Sequence, residues 1–351
     1  MKLRDDLFYL IVFGPGFGES IVLRTPETGW VVVDGCRLPG AGEGQSPAVK
    51  LLQQHEAQWS AVVLTHPHLD HASGLDDVLA HGGNGPIGCY PHPLGLPQSG
   101  NTADDPEAAY RAGSVEQVLA AIHDCWEQNP ETRWEIKRDT SRTVGPLRLT
   151  ALHPDSNAVR QAEVSGNRNR LSTVLLAEWK NCRLLLGADA EATDWASIAE
   201  EYPDLAAHTA LKYPHHGSAG AWHAAYATEN DGAATWLMTP YNRGHKLPRF
   251  EDGQGLHRAL MAHAPIHLTG LPARHDLQRR TPFETTRQAL RDGHAPQAAT
   301  KSLPGGFNMT IKPQATAFEG FVAAGFDADG NLIDLQRGAG AVTINEETSS
   351  A

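Results

Sequence analysis

Apolar residues along this chain come in short runs, and clusters of Gly, Pro, Asp and Asn punctuate them. Leu7–Phe13, Glu19–Arg24 and Trp30–Asp34 are three such runs, parted by Gly-Pro-Gly and Glu-Thr-Gly. Close spacing with turn residues between predicts short consecutive strands in an antiparallel start. Ser46–Ala57 then reads as a helix with Ser46 as N-cap and Pro47 at its first position. A strand at Ser60–Thr65, a helix at Ala72–Ala80, a Pro/Gly-rich loop from Asn84 to Asp105 and a helix at Ser114–Gln128 complete the first half. The second half repeats the order. Strands are expected at Leu147–Leu152, Thr173–Trp179 and Arg183–Leu186, and then a helix at Asp194–Glu201. A strand at Thr209–Tyr213, a helix at Ala219–Ala227 and a strand at Ala233–Thr239 follow. Two halves, each with strands first and helices after, predict an α+β chain of two facing sheets with helices outside. Near the end, Phe321–Leu335 has the pattern of a hairpin closed at Asp329-Gly330, and Asn345–Ala351 is expected to fray.

Composition narrows the class. With 351 residues, 40% of them apolar, the chain can bury a large core. No apolar run approaches the roughly 20 residues of a membrane helix. Leu7–Phe13 follows Asp5 and Asp6 and is read as a first strand rather than a signal peptide. Cys36, Cys89, Cys125 and Cys182 are scattered, with no Cys-x-x-Cys pair, which fits a reducing cytoplasm. The net charge of −12 argues against indiscriminate nucleic-acid binding. Its distribution is uneven: residues 243–292 carry nine basic and five acidic side chains. That segment suits a local anionic substrate or a solvated helix face.

The chemistry lies at strand ends. Directly after the Ser60–Thr65 run stands His66-Pro-His-Leu-Asp-His71, which places four metal-capable side chains in six positions. Imidazole nitrogen and carboxylate oxygen suit a borderline divalent ion, and two ligand sets in one short loop point to two ions. Three more stations end apolar runs: His153 after Leu147–Leu152, Asp189 after Arg183–Ala188, and His215-His216 after Thr209–Pro214. Strand-end loops are where rigid scaffolds present functional groups.

In this order the stations resemble those of the metallo-β-lactamase superfamily, whose metal motifs run His-x-His-x-Asp-His, then His, Asp and His. The likeness spans about residues 7 to 245. Its details look like the hydrolase domain of ComEC-type competence proteins: Leu152-His153-Pro154, Asn169 with Ser172, Leu186-Gly-Ala-Asp189, Leu211–Ser218 and Asn242-Arg-Gly-His245. Unlike that group, which often lacks one histidine of the first motif, this chain keeps them all, and it has no membrane channel.

The resemblance implies an αβ/βα four-layer sandwich over residues 1–298. Residues 299–351 would be a β-rich C-terminal extension with the hairpin, packed on the same domain. It implies two divalent ions, Zn2+ or Mn2+. His66, His68 and His153 would hold one; Asp70, His71 and His215 would hold the other, with Asp189 bridging. Between His215 and His216 the first is preferred as ligand. Asp34 would orient the first loop by hydrogen bonds. Asp70, His216 and His245 are the candidate catalytic side chains, the two histidines as proton donors to a leaving group. Arg168, Arg170, Lys212, Ser218, Asn242 and Arg243 are candidate substrate contacts, although Ser218 reads first as a helix cap. The implied activity is metal-dependent hydrolysis in the cytoplasm, with DNA or RNA phosphodiesters as substrate and no membrane partner. Hydrolysis of a small cyclic nucleotide, lactone or other ester is the alternative, and a non-catalytic metal-stabilised binding protein is a third.

Overall fold

Runs without a polar alternate position become strands buried on both faces. In Phe8–Phe13 the side chains of Phe8, Leu10 and Val12 face one core, while Tyr9, Ile11 and Phe13 face another. The computed structural model describes residues 1–14, 16, 18–27, 29–37, 46–90, 106–227, 234–243, 246–251, 253–263, 265–272, 299–303, 306–311 and 318–346.

In chain order the strands are β1 (Phe8–Phe13), β2 (Ser20–Arg24), β3 (Trp30–Val33), β4 (Ala61–Val63), β5 (Ile87–Cys89) and β6 (Arg133–Glu135). There follow β7 (Ser141–Val144), β8 (Leu147–Ala151), β9 (Leu175–Trp179), β10 (Cys182–Leu186), β11 (Ala210–Lys212) and β12 (Thr235–Met238). The last six are β13 (Ile266–Leu268), β14 (Ala299–Leu303), β15 (Phe307–Ile311), β16 (Phe321–Phe326), β17 (Leu332–Arg337) and β18 (Val342–Glu346). The helices are α1 (Pro47–Gln54), α2 (Leu69–Ala72), α3 (Leu75–His81), α4 (Pro106–Gln128), α5 (Ser156–Ser165), α6 (Ala192–Glu201) and α7 (Gly255–Ala262).

One sheet runs β17-β16-β1-β2-β3-β4-β5-β6, the other β14-β15-β18-β13-β12-β11-β10-β9-β8-β7. Both are mixed. β3 to β6 are parallel in the first sheet and β10 to β13 in the second, and the other pairings are antiparallel. A central core joins the inner faces, with Leu10, Val33 and Val63 meeting Leu149, Leu175 and Leu184. A second core lies under α1, α3 and α4, and a third under α6 and α7. The layers are therefore helix, sheet, sheet, helix, consistent with the metallo-β-lactamase fold. Among the described residues, no helix is long and apolar enough to cross a membrane.

The C-terminal hairpin is present as β16–β17, with the Asp327 side chain accepting from the backbone of Asp329 and Asn331 at its turn. β16 pairs with β1, and β18 pairs with β13, so strands beyond residue 298 complete both sheets.

Several elements differ from expectation. The helix foreseen at 219–227 is two short 3-10 turns, Ala219–Ala221 and Ala224–Tyr226. The Tyr226 hydroxyl donates to the Ala221 carbonyl at 2.8 Å and accepts from His223 N–H at 3.1 Å, so an aromatic side chain takes the place of a helical ladder. The stretch after His153, for which the sequence pattern predicts no element, contains α5. Its signals are the Asp155 carboxylate, which accepts from Ala158 N–H at 2.7 Å, and Gly166 in the left-handed region at its end. Ser46 does occupy the N-cap of α1, without a side-chain bond. The Asn84–Asp105 loop from residue 91 on, and most of the basic segment from residue 273 on, lie outside the described residues.

His267 on β13 makes one consequence testable. It faces Thr343 of β18, with Nδ1 2.9 Å from Thr343 Oγ1. Burial, with nearby Arg337 and His263, pushes its pKa down to about 3. An unfolded histidine titrates near 6.5, so below that pH the unfolded chain takes the proton first. Stability is full above about pH 6.5 and is lost at about 1.4 kcal/mol per pH unit as pH falls toward the folded value. The urea midpoint should drop between about pH 7 and pH 5, and drop less steeply in His267→Gln. Equal slopes in the two proteins would show that this ring is not held neutral by burial.

Candidate metal centre

The first motif sits where two parallel strands end side by side. Asp34 follows β3 with φ +59°, and its carboxylate meets the segment after β4. Oδ1 accepts from Thr65 N–H at 2.7 Å, and Oδ2 accepts from the Thr65 hydroxyl and from His71 Nδ1–H, each at 2.7 Å. The backbone pins the loop further: Gly35 N–H donates to the His71 carbonyl at 2.6 Å and Glu19 N–H to the Asp70 carbonyl at 2.9 Å. Gly18 is needed for this approach, because a Cβ there would lie 2.6 Å from the Asp70 carbonyl oxygen. Opposite, Thr173 N–H reaches the Thr65 carbonyl at 3.0 Å and ties the motif to the second sheet.

The second sheet delivers the rest. Asp189 follows β10, and the adjacent parallel β11 ends in His215-His216. Both histidines have left-handed backbones, φ +46° and +50°. His215 N–H donates to the Ala188 carbonyl at 2.7 Å, which closes the gap between the two strand ends.

Two groups of possible ligand atoms meet at Asp189, each gathered within 4.8 Å: His66, His68 and Asp189, and Asp70, His71, Asp189 and His216; a third such group, Glu19, Asp34 and His71, lies beside them. Asp189 is common to the first two. Its Oδ1 lies 3.3 Å from His71 Nε2 and 3.9 Å from His216 Nε2, and its Oδ2 lies 3.8 Å from His66 Nε2. His66 Nε2 and His68 Nδ1 are 3.1 Å apart, and His216 Nε2 is 3.4 Å from Asp70 Oδ2.

The donor set fits divalent ions. His71, His153 and His216 each engage Nδ1 in a hydrogen bond, to Asp34, the Ser172 carbonyl and Thr239 respectively. Their Nε2 atoms, together with Asp189 Oδ1, are buried without a hydrogen bond among the described residues. Fixing one ring nitrogen and leaving the other bare is how protein scaffolds prepare imidazole ligands. Charge points the same way. Glu19, Asp34, Asp70 and Asp189 crowd the centre, and the buried Lys212 pairs with Glu19. Burial opposes ionisation of Asp189, yet His71, His215 and His216 around it hold its carboxyl well below the usual range. Carboxylates gathered in such a site call for positive charge, from protonated histidines or from a bound cation.

Other expected residues are placed differently. His216, not His215, enters the Asp70–His71–Asp189 group, because the tight turn sends His216 inward against Thr239 while His215 keeps 21% of its side chain exposed. That placement makes His216 a ligand candidate rather than the proton donor expected from sequence. His153 lies outside these groups, its Nε2 3.7 Å from Asp194 Oδ1. Lys212, expected to contact substrate, is fully buried and ion-paired with Glu19. Arg170 is tied to Asp194 at 2.7 Å, clamping the start of α6. Arg168 stays by the motif and donates to the Pro67 carbonyl at 3.2 Å. Ser218 caps the following turn through Gly220 N–H at 3.3 Å. Asn242 N–H donates to the Gly16 carbonyl at 2.8 Å and its side chain to the Leu271 carbonyl at 3.1 Å, while Arg243 is exposed. His245 lies outside the described residues.

Sequence reading passed over Glu19, Thr239 and Tyr241. Tyr241 stacks on His216 with centroids 5.3 Å apart. A single acid opening the apolar run Ser20–Arg24 was the available signal for Glu19.

Fold and site together describe a two-sheet α/β sandwich with His/Asp clusters at its strand ends that could hold metal ions. In comparison with known proteins, residues 13–114 match the family described as the Metallo-beta-lactamase superfamily. A stretch of 78 residues is 31% identical to the uncharacterized protein YcaI of Escherichia coli (strain K12), covering 22% of this chain and 10% of that protein. The chain thus spans about a tenth of that relative's length. Among solved structures, the metallo-beta-lactamase fold protein YhfI from Bacillus subtilis is similar over 74% of this chain and 95% of that one, at 16% identity and a TM-score of 0.41. MEM-A1, a subclass B3 metallo-beta-lactamase isolated from a soil metagenome library, is similar over 58% and 75%, at 13% identity and a TM-score of 0.34.

Proposed function

We propose that this chain is a metal-dependent hydrolase of phosphodiesters, with DNA or RNA as substrate class and Zn2+ as its ion. The observation that carries the reading is the set of bare, buried Nε2 atoms on His71 and His216 around an Asp189 carboxylate shared with His66 and His68. When bound there, divalent ions supply Lewis acidity and bring the pKa of water toward neutrality. The chain's own groups do the rest. Asp34 and Thr65 fix the orientations of His71 and His66. Arg168, close to His68, offers positive charge to an anionic phosphate. His215, the more open of the histidine pair, takes the part of proton donor to the leaving oxygen. The likeness of Leu211–Ser218 and Leu186–Asp189 to ComEC-type hydrolase domains supports a phosphodiester over a carboxylic ester.

One observation favours a compact substrate over a polymer: outside residues 243–292 the chain is strongly acidic, which opposes long-range attraction of a polyanion. One experiment separates these. Metal-stripped protein, re-supplied with Zn2+ or Mn2+, is assayed on plasmid DNA, single-stranded DNA, RNA and bis-p-nitrophenyl phosphate. Metal-dependent cleavage of polymer is the expected result. Cleavage of the small diester alone moves the substrate to a compact phosphodiester, and no cleavage with either ion overturns the phosphodiester reading.

A further inference from the structure

Beside the centre lies a chain of buried polar groups that runs from β11 to His216. Lys212 Nζ is paired with Glu19 Oε2, and both side chains are fully buried. The same oxygen, Glu19 Oε2, accepts from the Thr239 hydroxyl at 2.7 Å. Thr239 Oγ1 is in turn 3.0 Å from His216 Nδ1, and the Thr239 carbonyl is 3.3 Å from it.

Donor and acceptor rules fix the direction of every bond in this chain. An ionised carboxylate only accepts, so the Thr239 hydroxyl spends its one proton on Glu19. The Thr239 oxygen can then only accept, and so can its carbonyl. His216 must therefore carry a proton on Nδ1, so that in the neutral ring that would bind a metal ion the lone pair is on Nε2, toward Asp70 and Asp189. The same order recurs at the first sheet, where the Thr65 hydroxyl donates to Asp34 and faces His66 Nδ1 at 3.1 Å.

The geometry points to Thr239, held by the Lys212–Glu19 pair, as the positioning residue that sets the tautomer and angle of His216 toward a metal ion. This rests on the metal-centre reading above. Lys212, Glu19 and Thr239 are fully buried and meet the site through His216, so the effect of the relay falls on metal affinity. Groups that orient ligating imidazoles are typically worth about 10–100-fold in affinity.

The test uses the full chain, stripped of metal, with Thr239→Val and Thr239→Ser. Valine keeps the shape and removes the hydroxyl; serine keeps the hydroxyl. Zn2+ binding is titrated against a competing chelator, Co2+ spectra report ligand geometry, and thermal melting of the stripped proteins reports packing. Wild type is expected to take two equivalents. Thr239→Val should bind one of them about 10–100-fold more weakly, with a shifted Co2+ visible band, and the other unchanged. Thr239→Ser should stay within about threefold of wild type, with the wild-type band. Wild-type binding by both variants overturns the relay. So does equal weakening in both, since packing rather than the hydroxyl would then be at work. A wild type that binds no Zn2+ overturns the metal-centre reading itself, and the relay with it.

Discussion

Replacing Asp189 with Ala should strip bound metal from the protein and lower hydrolysis by about 10³-fold, the scale on which removing a central charge-stabilising group acts. The expectation follows from position. Asp189 is the one side chain common to the His66–His68 and Asp70–His71–His216 groups, and it is buried among five histidine rings. Without its carboxylate, His66 and His71 face each other at 4.3 Å between ring centroids with no anion between them. Elemental analysis after dialysis, alongside turnover of bis-p-nitrophenyl phosphate, checks both parts. A variant that keeps two ions per chain would sink the shared-carboxylate reading. One that keeps a single ion would show that the two groups are independent sites.

The second large effect concerns stability. Lys212→Met is expected to cost about 3–5 kcal/mol, because it leaves the fully buried Glu19 carboxylate without its ammonium partner. Burial works against ionisation of Glu19, and Lys212, joined by His71 and His216, outweighs it to hold the carboxyl below the usual range. A loss of that size lowers Tm by roughly 4–7 °C in a chain of this length. Adding Glu19→Gln to the same chain should restore more than half of it, since a neutral amide still accepts from Thr239 and no charge is left stranded. Thermal and urea unfolding of the two single variants and the double give the coupling directly. If Lys212→Met loses less than about 1 kcal/mol, the pair is not a desolvated one.

The sandwich was legible in the sequence because strands buried on both faces leave an unbroken apolar run, as in Phe8–Phe13 and Trp30–Val33. The first motif was legible for a different reason: His66, His68, Asp70 and His71 are neighbours in the chain, so their proximity needs no folding to reveal it. Strand-end positions also marked Asp189 and the His215-His216 pair.

What sequence could not decide is which of two adjacent histidines turns inward. Alternation along an extended strand says nothing about a turn with two consecutive left-handed residues, and only the packing of His216 on Thr239 and Tyr241 settles its direction. The partner of Lys212 was hidden for the same kind of reason. A lysine beside a histidine pair suggests a bound anion, whereas the fold brings Glu19 against it from the opposite sheet. Thr239 and Glu19 stand 220 positions apart in the chain. The sequence by itself determined the layers and the ligand types, because these follow from local hydrophobicity and donor chemistry. Tertiary structure alone decided the partners of each ligand, because a hydrogen bond between remote strands leaves no trace in either one's neighbourhood.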